Sequence, residues 1–162
     1  MRNYIIKGEY NNELNVYFKD RLILKSKCKF SILDRNKTEI YNEDDKLILS
    51  LTDYDSTIRN KINIKKKCFD VQFKKRKWFS FKGYIKIIDT DELLVMKFNP
   101  ILFCNPFISI YMQGNKAGEI KRKNFKLFEK EYNIKIDDNL EYYHNYFILI
   151  YLLVVETITY HE

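Results

Sequence analysis

The sequence predicts a mainly β protein: a closed antiparallel β-barrel enclosing a hydrophobic C-terminal α-helix. Three observations lead there. Short runs rich in Ile, Val, Tyr and Phe recur at intervals of roughly eight to twelve residues, the spacing of an antiparallel sandwich or barrel. The gaps between the runs carry turn-forming residues. Tyr146 to Val155 reads YFILIYLLVV without one charge. A helix apolar on every side has to be surrounded, and a hydrocarbon core needs about 20 such residues to be crossed. The expected surroundings are therefore protein, with no transmembrane segment.

The expected strands, in order, are Tyr4 to Ile6, Leu14 to Phe18, Lys29 to Leu33, Leu47 to Leu51, Lys61 to Ile64, Phe69 to Phe73, Phe79 to Phe81, Tyr84 to Ile88, Leu93 to Phe98, Phe107 to Met112, Ala117 to Lys121 and Tyr132 to Ile136. Several alternate, as in Tyr132-Asn133-Ile134-Lys135-Ile136, which leaves one face wet. Asp34 to Lys37, Asp89 to Glu92 and Gln113 to Lys116 supply residues that tolerate tight or left-handed backbone. Asp138 is placed to cap the helix while Glu141, three residues on, reaches back in a capping box. Strands are expected over about 3–136 and the helix over about 139–157, all in one domain, 1–162. Its size is enough for a core without disulfide or metal support. Four glycines, two prolines and 16% aromatic residues argue against linkers and disorder.

Cys28, Cys68 and Cys104 lie far apart, without a second cysteine or a histidine at ligand spacing. They read as free thiols of a reducing compartment. Met1 to Tyr4 leads straight into a strand and lacks the pattern of a signal peptide, so the expected location is cytoplasmic, peripheral at a membrane at most. Charge is unevenly spread. From Lys61 to Lys86 ten basic residues face one acid, Asp70, a net +9 in a chain of net +7, so the other 136 residues sum to −2. One segment carries the basic character, and an anionic partner follows more readily than general solubility.

The order of Gly114-Asn115-Lys116-Ala117-Gly118-Glu119-Ile120-Lys121-Arg122, then Tyr132 to Ile136, then Asp138 and an apolar helix resembles the C-terminal third of tubby-like domains. The similarity is to the branch of phospholipid scramblases and LURP-one-related proteins. Phe30 to Arg35 followed by Lys46 to Leu51 is similar to paired strands of that family. The resemblance implies a barrel around a central helix and, since the superfamily includes phosphoinositide binders, an anionic membrane surface as ligand. It does not extend to scrambling: the chain has no acidic cluster for calcium, no cysteine-rich palmitoylation segment and no N-terminal proline-rich region.

Little points to catalysis. His144 and His161 are the two histidines, and neither has a serine or cysteine nucleophile beside it or a cysteine or acid at ligand spacing. Gly114 and Gly118 stand in a strand turn without the helix that a phosphate loop requires. No catalytic residue, metal or cofactor is expected. The candidate site is basic. Val71-Gln72-Phe73 and Phe79-Ser80-Phe81 alternate as if paired, which puts Lys74, Lys75, Arg76 and Lys77 at a hairpin tip beside Trp78, an interfacial aromatic. Lys65, Lys66 and Lys67 extend the patch, as do Lys121 to Lys123 if closure brings them near. Two other readings compete. One is an inhibitor or immunity-type module covering an acidic site on a protein partner, with Glu39 to Asp45 and Asp53 to Asp55 as a second surface. The other, nucleic acid stacked on Trp78, Phe79 and Phe81, is disfavoured because that register turns the two phenylalanines inward. Lysines also guard strand edges against aggregation, a role needing no ligand.

Overall fold

The computed structural model describes residues 1–9, 13–29, 37–53, 62–67, 71–74, 82–87, 90–99, 105–123 and 130–158, of which 9, 53, 62–67, 71–74 and 155–158 are described by backbone alone. Twelve strands precede one helix. They are β1 (Arg2–Glu9), β2 (Glu13–Phe18), β3 (Arg21–Lys29), β4 (Lys37–Asn42), β5 (Leu47–Asp53), β6 (Ile62–Lys67), β7 (Val71–Lys74), β8 (Lys82–Ile87), β9 (Leu93–Phe98), β10 (Ile108–Met112), β11 (Asn115–Arg122) and β12 (Glu131–Ile136), followed by α1 (Tyr142–Ile158).

All twelve strands share one antiparallel sheet, ordered β6-β5-β4-β3-β2-β1-β12-β11-β10-β9-β8-β7. Every strand pairs with its neighbours in sequence except at β6 and β7, and β1 pairs with β12, so the first and last strands meet in the middle of the sheet. Among the described residues no ladder joins the two edges, β6 and β7. The sheet is therefore curled but is not a hydrogen-bonded closed barrel. The curl follows from what α1 touches. The helix packs on β2, β3 and β4 in one half of the sheet and on β8 near the far edge. Leu152 lines, together with Ile6 of β1, Ile108 of β10, Ile120 of β11 and Tyr132 of β12, a space too tight for water.

Enclosure leaves α1 no wet stripe. Phe147 through Val154 are all buried, and Leu152 and Leu153, which cannot share a helix face, are 3% and 0% exposed. The strands supply the other half of the core by alternation: β8 and β9 bury every second residue, Gly83, Ile85 and Ile87 facing Met96 and Leu94. Gly83 is needed for space, since a Cβ there would stand 1.8 Å from the Tyr151 hydroxyl of α1. Gly118 allows close strand approach, its Cβ position lying 2.5 Å from the Lys135 carbonyl, and Gly114 takes φ +85° in the β10–β11 turn.

Several expectations are corrected here. The strand β3 begins at Arg21, eight residues before the run read at Lys29, and β4 was not anticipated. Both put polar residues on the core face, Ser26 and Thr38, which breaks the apolar rhythm. Ser26 is accommodated by accepting the Leu14 amide at 3.3 Å. The capping box is absent. The Asp138 carboxylate binds the Met1 ammonium and Arg2, while Asp137 Oδ1 accepts the Asn139 amide at 3.1 Å. A turn over 137–141 results, and α1 starts at Tyr142. Expected strand Phe79 to Phe81, with Cys68, Cys104 and His161, lies outside the described residues. The Cys28 sulfur accepts the Thr38 hydroxyl at 4.0 Å.

Candidate anion-binding face

Antiparallel order gives the sheet two ends. At the upper end α1 begins, beside the starts of β1 and β9. At the lower end β7 finishes, β8 begins and β9 finishes. This geometry decides which of the expected basic residues belong together.

Val71–Lys74 does not pair with Phe79 to Phe81. Its partners are Tyr84–Ile87, with Val71 opposite Ile87, Phe73 opposite Ile85 and Lys74 opposite Tyr84. This register matches apolar residues on the core face, where Ile85 and Ile87 are buried. Lys74 thus precedes the β7–β8 connection, and Lys75, Arg76, Lys77 and Trp78 fall within that connection, outside the described residues. The second run separates from the first. β6 is the opposite edge of the sheet and runs upward, so Lys67 ends at the upper end while β7 runs downward from Val71 to Lys74. Nor do Lys65, Lys66 and Lys67 occupy equivalent positions. Lys66 stands opposite Ser50, in the row that continues to Glu39 and Lys27, Lys67 stands opposite core residue Leu49, and Lys65 falls at a bulge. An edge strand with lysines and a bulge fits protection against edge pairing.

Folding builds a pair the sequence did not reveal. Lys82 and Lys97 are directly opposite on β8 and β9, both exposed on the outer face. Lys97 Nζ sits 4.1 Å from the centroid of Tyr111 on β10. Like charges face to face cost stability on a sheet, and among the described residues neither lysine has an acidic partner. The nearest acid in the same row is Glu119, two strands beyond Lys97, and it is engaged by Lys116 at 3.0 Å and Lys121 at 3.1 Å. Those two lysines hold its carboxyl below the usual carboxylate range. Lys121, in β11, and Lys123, just after it, do stand at the lower end, as a shared patch requires, but each has its own acid, Lys123 binding Glu131 at 2.9 Å. Lys82 and Lys97, by contrast, have no acidic partner among the described residues. Lys97 was overlooked because it lies eleven residues beyond the basic segment and enters through the β8–β9 hairpin; the signal was strict alternation in Leu93 to Phe98, which puts Lys97 on the wet face.

Of the acidic stretch, Asp44 is exposed, Asp53 is described by backbone alone, Asp55 lies outside the described residues, and three carboxylates are engaged by cations. Glu43 binds Arg21 at 2.9 Å, Asp45 binds Lys25, and Glu39 is buried against Lys37 at 2.5 Å and Tyr41 at 2.9 Å. His144 is 2% exposed, and its Nε2 lies 2.9 Å from Glu92 Oε2. The same oxygen accepts the Thr90 hydroxyl at 2.6 Å and the Tyr143 hydroxyl at 3.1 Å. Glu92, read from sequence as a turn residue, thereby ties the β8–β9 turn to the start of α1. Among the described residues no group of three or more His, Cys, Asp or Glu side chains could hold a metal, and no helix is long and apolar enough to cross a membrane.

Comparison with known proteins finds no matching family model, no matching curated protein and no matching solved structure.

Proposed function

We propose that this chain is a non-enzymatic, tubby-like binding domain that holds anionic membrane headgroups on the outer face of β7–β9. The observation that carries this reading is the uncompensated Lys82–Lys97 pair. A sheet that faces two lysines at one register position, with no acidic partner for either among the described residues, gains from an anion bound between them. Lys74 and the Lys75-Arg76-Lys77-Trp78 connection lead directly into Lys82, so headgroup attraction of about 1 kcal/mol per basic residue accumulates over one segment. Lys65, Lys66 and Lys67 stand on β6 and join this site only through β6–β7 pairing.

Barrel closure belongs to the same proposal. β6 and β7 are consecutive, and every other consecutive pair of strands is hydrogen-bonded, so pairing between them completes a twelve-stranded barrel around α1 and removes both edges.

Vesicle flotation tests the binding reading. The chain is expected to float with vesicles containing phosphatidylserine or a phosphoinositide and not with neutral phosphatidylcholine. Lys82→Ser with Lys97→Ser should abolish most of it while circular dichroism and melting stay near wild type. Flotation unchanged in that double variant, or equal on neutral vesicles, overturns the site.

A further inference from the structure

Four large apolar side chains are exposed among the described residues: Met1 at 69%, Leu93 at 42%, Tyr142 at 62% and Tyr143 at 36%. Scattered exposed apolar residues need no explanation. These four are not scattered. Met1 leads into β1, Leu93 begins β9, and Tyr142 and Tyr143 begin α1, so all four sit at the upper end of the sheet. The Tyr143 hydroxyl donates to Glu92 at 3.1 Å, which fixes its ring beside the residue preceding Leu93. Tyr142 follows Glu141, an exposed carboxylate, and the Asp137 carboxylate accepts the Asn139 amide; neither carboxylate has a cation partner among the described residues. Asp91 at the same end is paired with Lys86, and Asp138 with Met1 and Arg2.

We propose that this upper rim docks a basic protein segment, its Lys or Arg heads meeting the Tyr142 ring, Glu141 and Asp137 while its apolar side chains cover Leu93 and Tyr143. Charge complementarity selects this occupant. Cations gain from aromatic faces and from the two carboxylates, whereas an anionic membrane or a nucleic acid meets like charge. Lys82 and Lys97 lie four residues down β8 and β9 from Lys86 and Leu93, about 13 Å away. Both ends can therefore be occupied together, and docking does not depend on the membrane reading.

The test is a titration of the isotopically labelled chain with a synthetic twelve-residue peptide alternating Arg and Leu, read by amide NMR, with a Glu-for-Arg peptide as control. Shifts are expected at Leu93, Glu141, Tyr142 and Tyr143 with the basic peptide alone. Tyr142→Ser and Glu141→Gln, both at exposed positions, should each weaken it about two- to fivefold without changing the melting temperature. Shifts that map to another surface, an equal response to the acidic peptide, or affinity untouched by both variants overturns the proposal. Concentration-dependent self-association lost in Tyr142→Ser replaces the basic segment with a second copy of this chain, and upper-rim shifts on adding phosphatidylserine vesicles replace it with lipid.

Discussion

Gly83 and Tyr151 show how closely α1 and the sheet are fitted at the level of single atoms. A methyl group at position 83 meets the Tyr151 hydroxyl at 1.8 Å and its Cζ at 2.8 Å, so Gly83→Ala forces β8 or the ring to move. Overpacking of this kind costs about 1 to 3 kcal/mol. Adding Tyr151→Phe removes the nearer atom and should recover part of that loss, a coupling measurable by a double-mutant cycle in urea. Recovery of nothing would show that the two positions do not meet. Leu152→Ala and Leu153→Ala should each cost about 2 to 5 kcal/mol, since both truncations leave cavities in a filled interior. A helix docked on one side would show the loss at only one of the two.

Between elements, the start of α1 is held by hydrogen bonds to turns and strand ends. Arg2 on β1 donates to the Leu140 carbonyl at 3.0 Å, and Glu92 gathers Thr90, His144 and Tyr143. The Thr90 hydroxyl first, then His144 and Tyr143, hold the Glu92 carboxyl below the ordinary glutamate range against its partial burial. A depressed folded pKa means that the stabilisation is complete above the unfolded value and is lost as pH falls through the folded one. Melting temperature should thus be level from neutrality down to about pH 5 and fall below it. Glu92→Gln should lower stability at neutral pH by about 1 to 3 kcal/mol, as loss of charge-assisted hydrogen bonds does, and flatten the acid limb. Flattening will be partial, because Glu39, held down chiefly by Lys37, and Glu119, held down chiefly by Lys116, titrate in the same direction. An acid limb unchanged in Glu92→Gln would remove this residue from the account.

For the whole molecule, closure and charge are the two open properties, and each has a direct measurement. If β6 and β7 pair, amides on both sides of Ile62–Lys67 and Val71–Lys74 should be protected from hydrogen exchange. If they remain edges, alternate amides should exchange rapidly while those bonded to β5 and β8 stay slow. Binding through Lys82 and Lys97 should also weaken steeply between low and physiological salt, because exposed charges are screened over about 8 to 10 Å. Binding insensitive to salt would argue for an apolar contact.

The class of fold was legible in the chain because its two signals are local. A run of apolar residues longer than any strand and too short for a bilayer dictates an enclosed helix, and Phe147 to Val154 are buried on every side. Period-two alternation in Tyr84 to Ile88, Leu93 to Phe98 and Tyr132 to Ile136 marks strands with a single wet face, as the burial of β8, β9 and β12 shows. Where polar residues face the core, at Ser26 and Thr38, alternation of apolar character fails and so did the reading of β3 and β4. Pairing lay beyond the sequence altogether. Val71–Phe73 has apolar alternation compatible with both Phe79–Phe81 and Ile85–Ile87, and only the hairpin that β8 makes with β9 selects the second. The β8–β9 hairpin also brings Lys97 opposite Lys82. Residue type and order determined that this chain is basic in one segment and apolar in its helix; strand register, which sums contacts across the whole sheet, decided which charges meet.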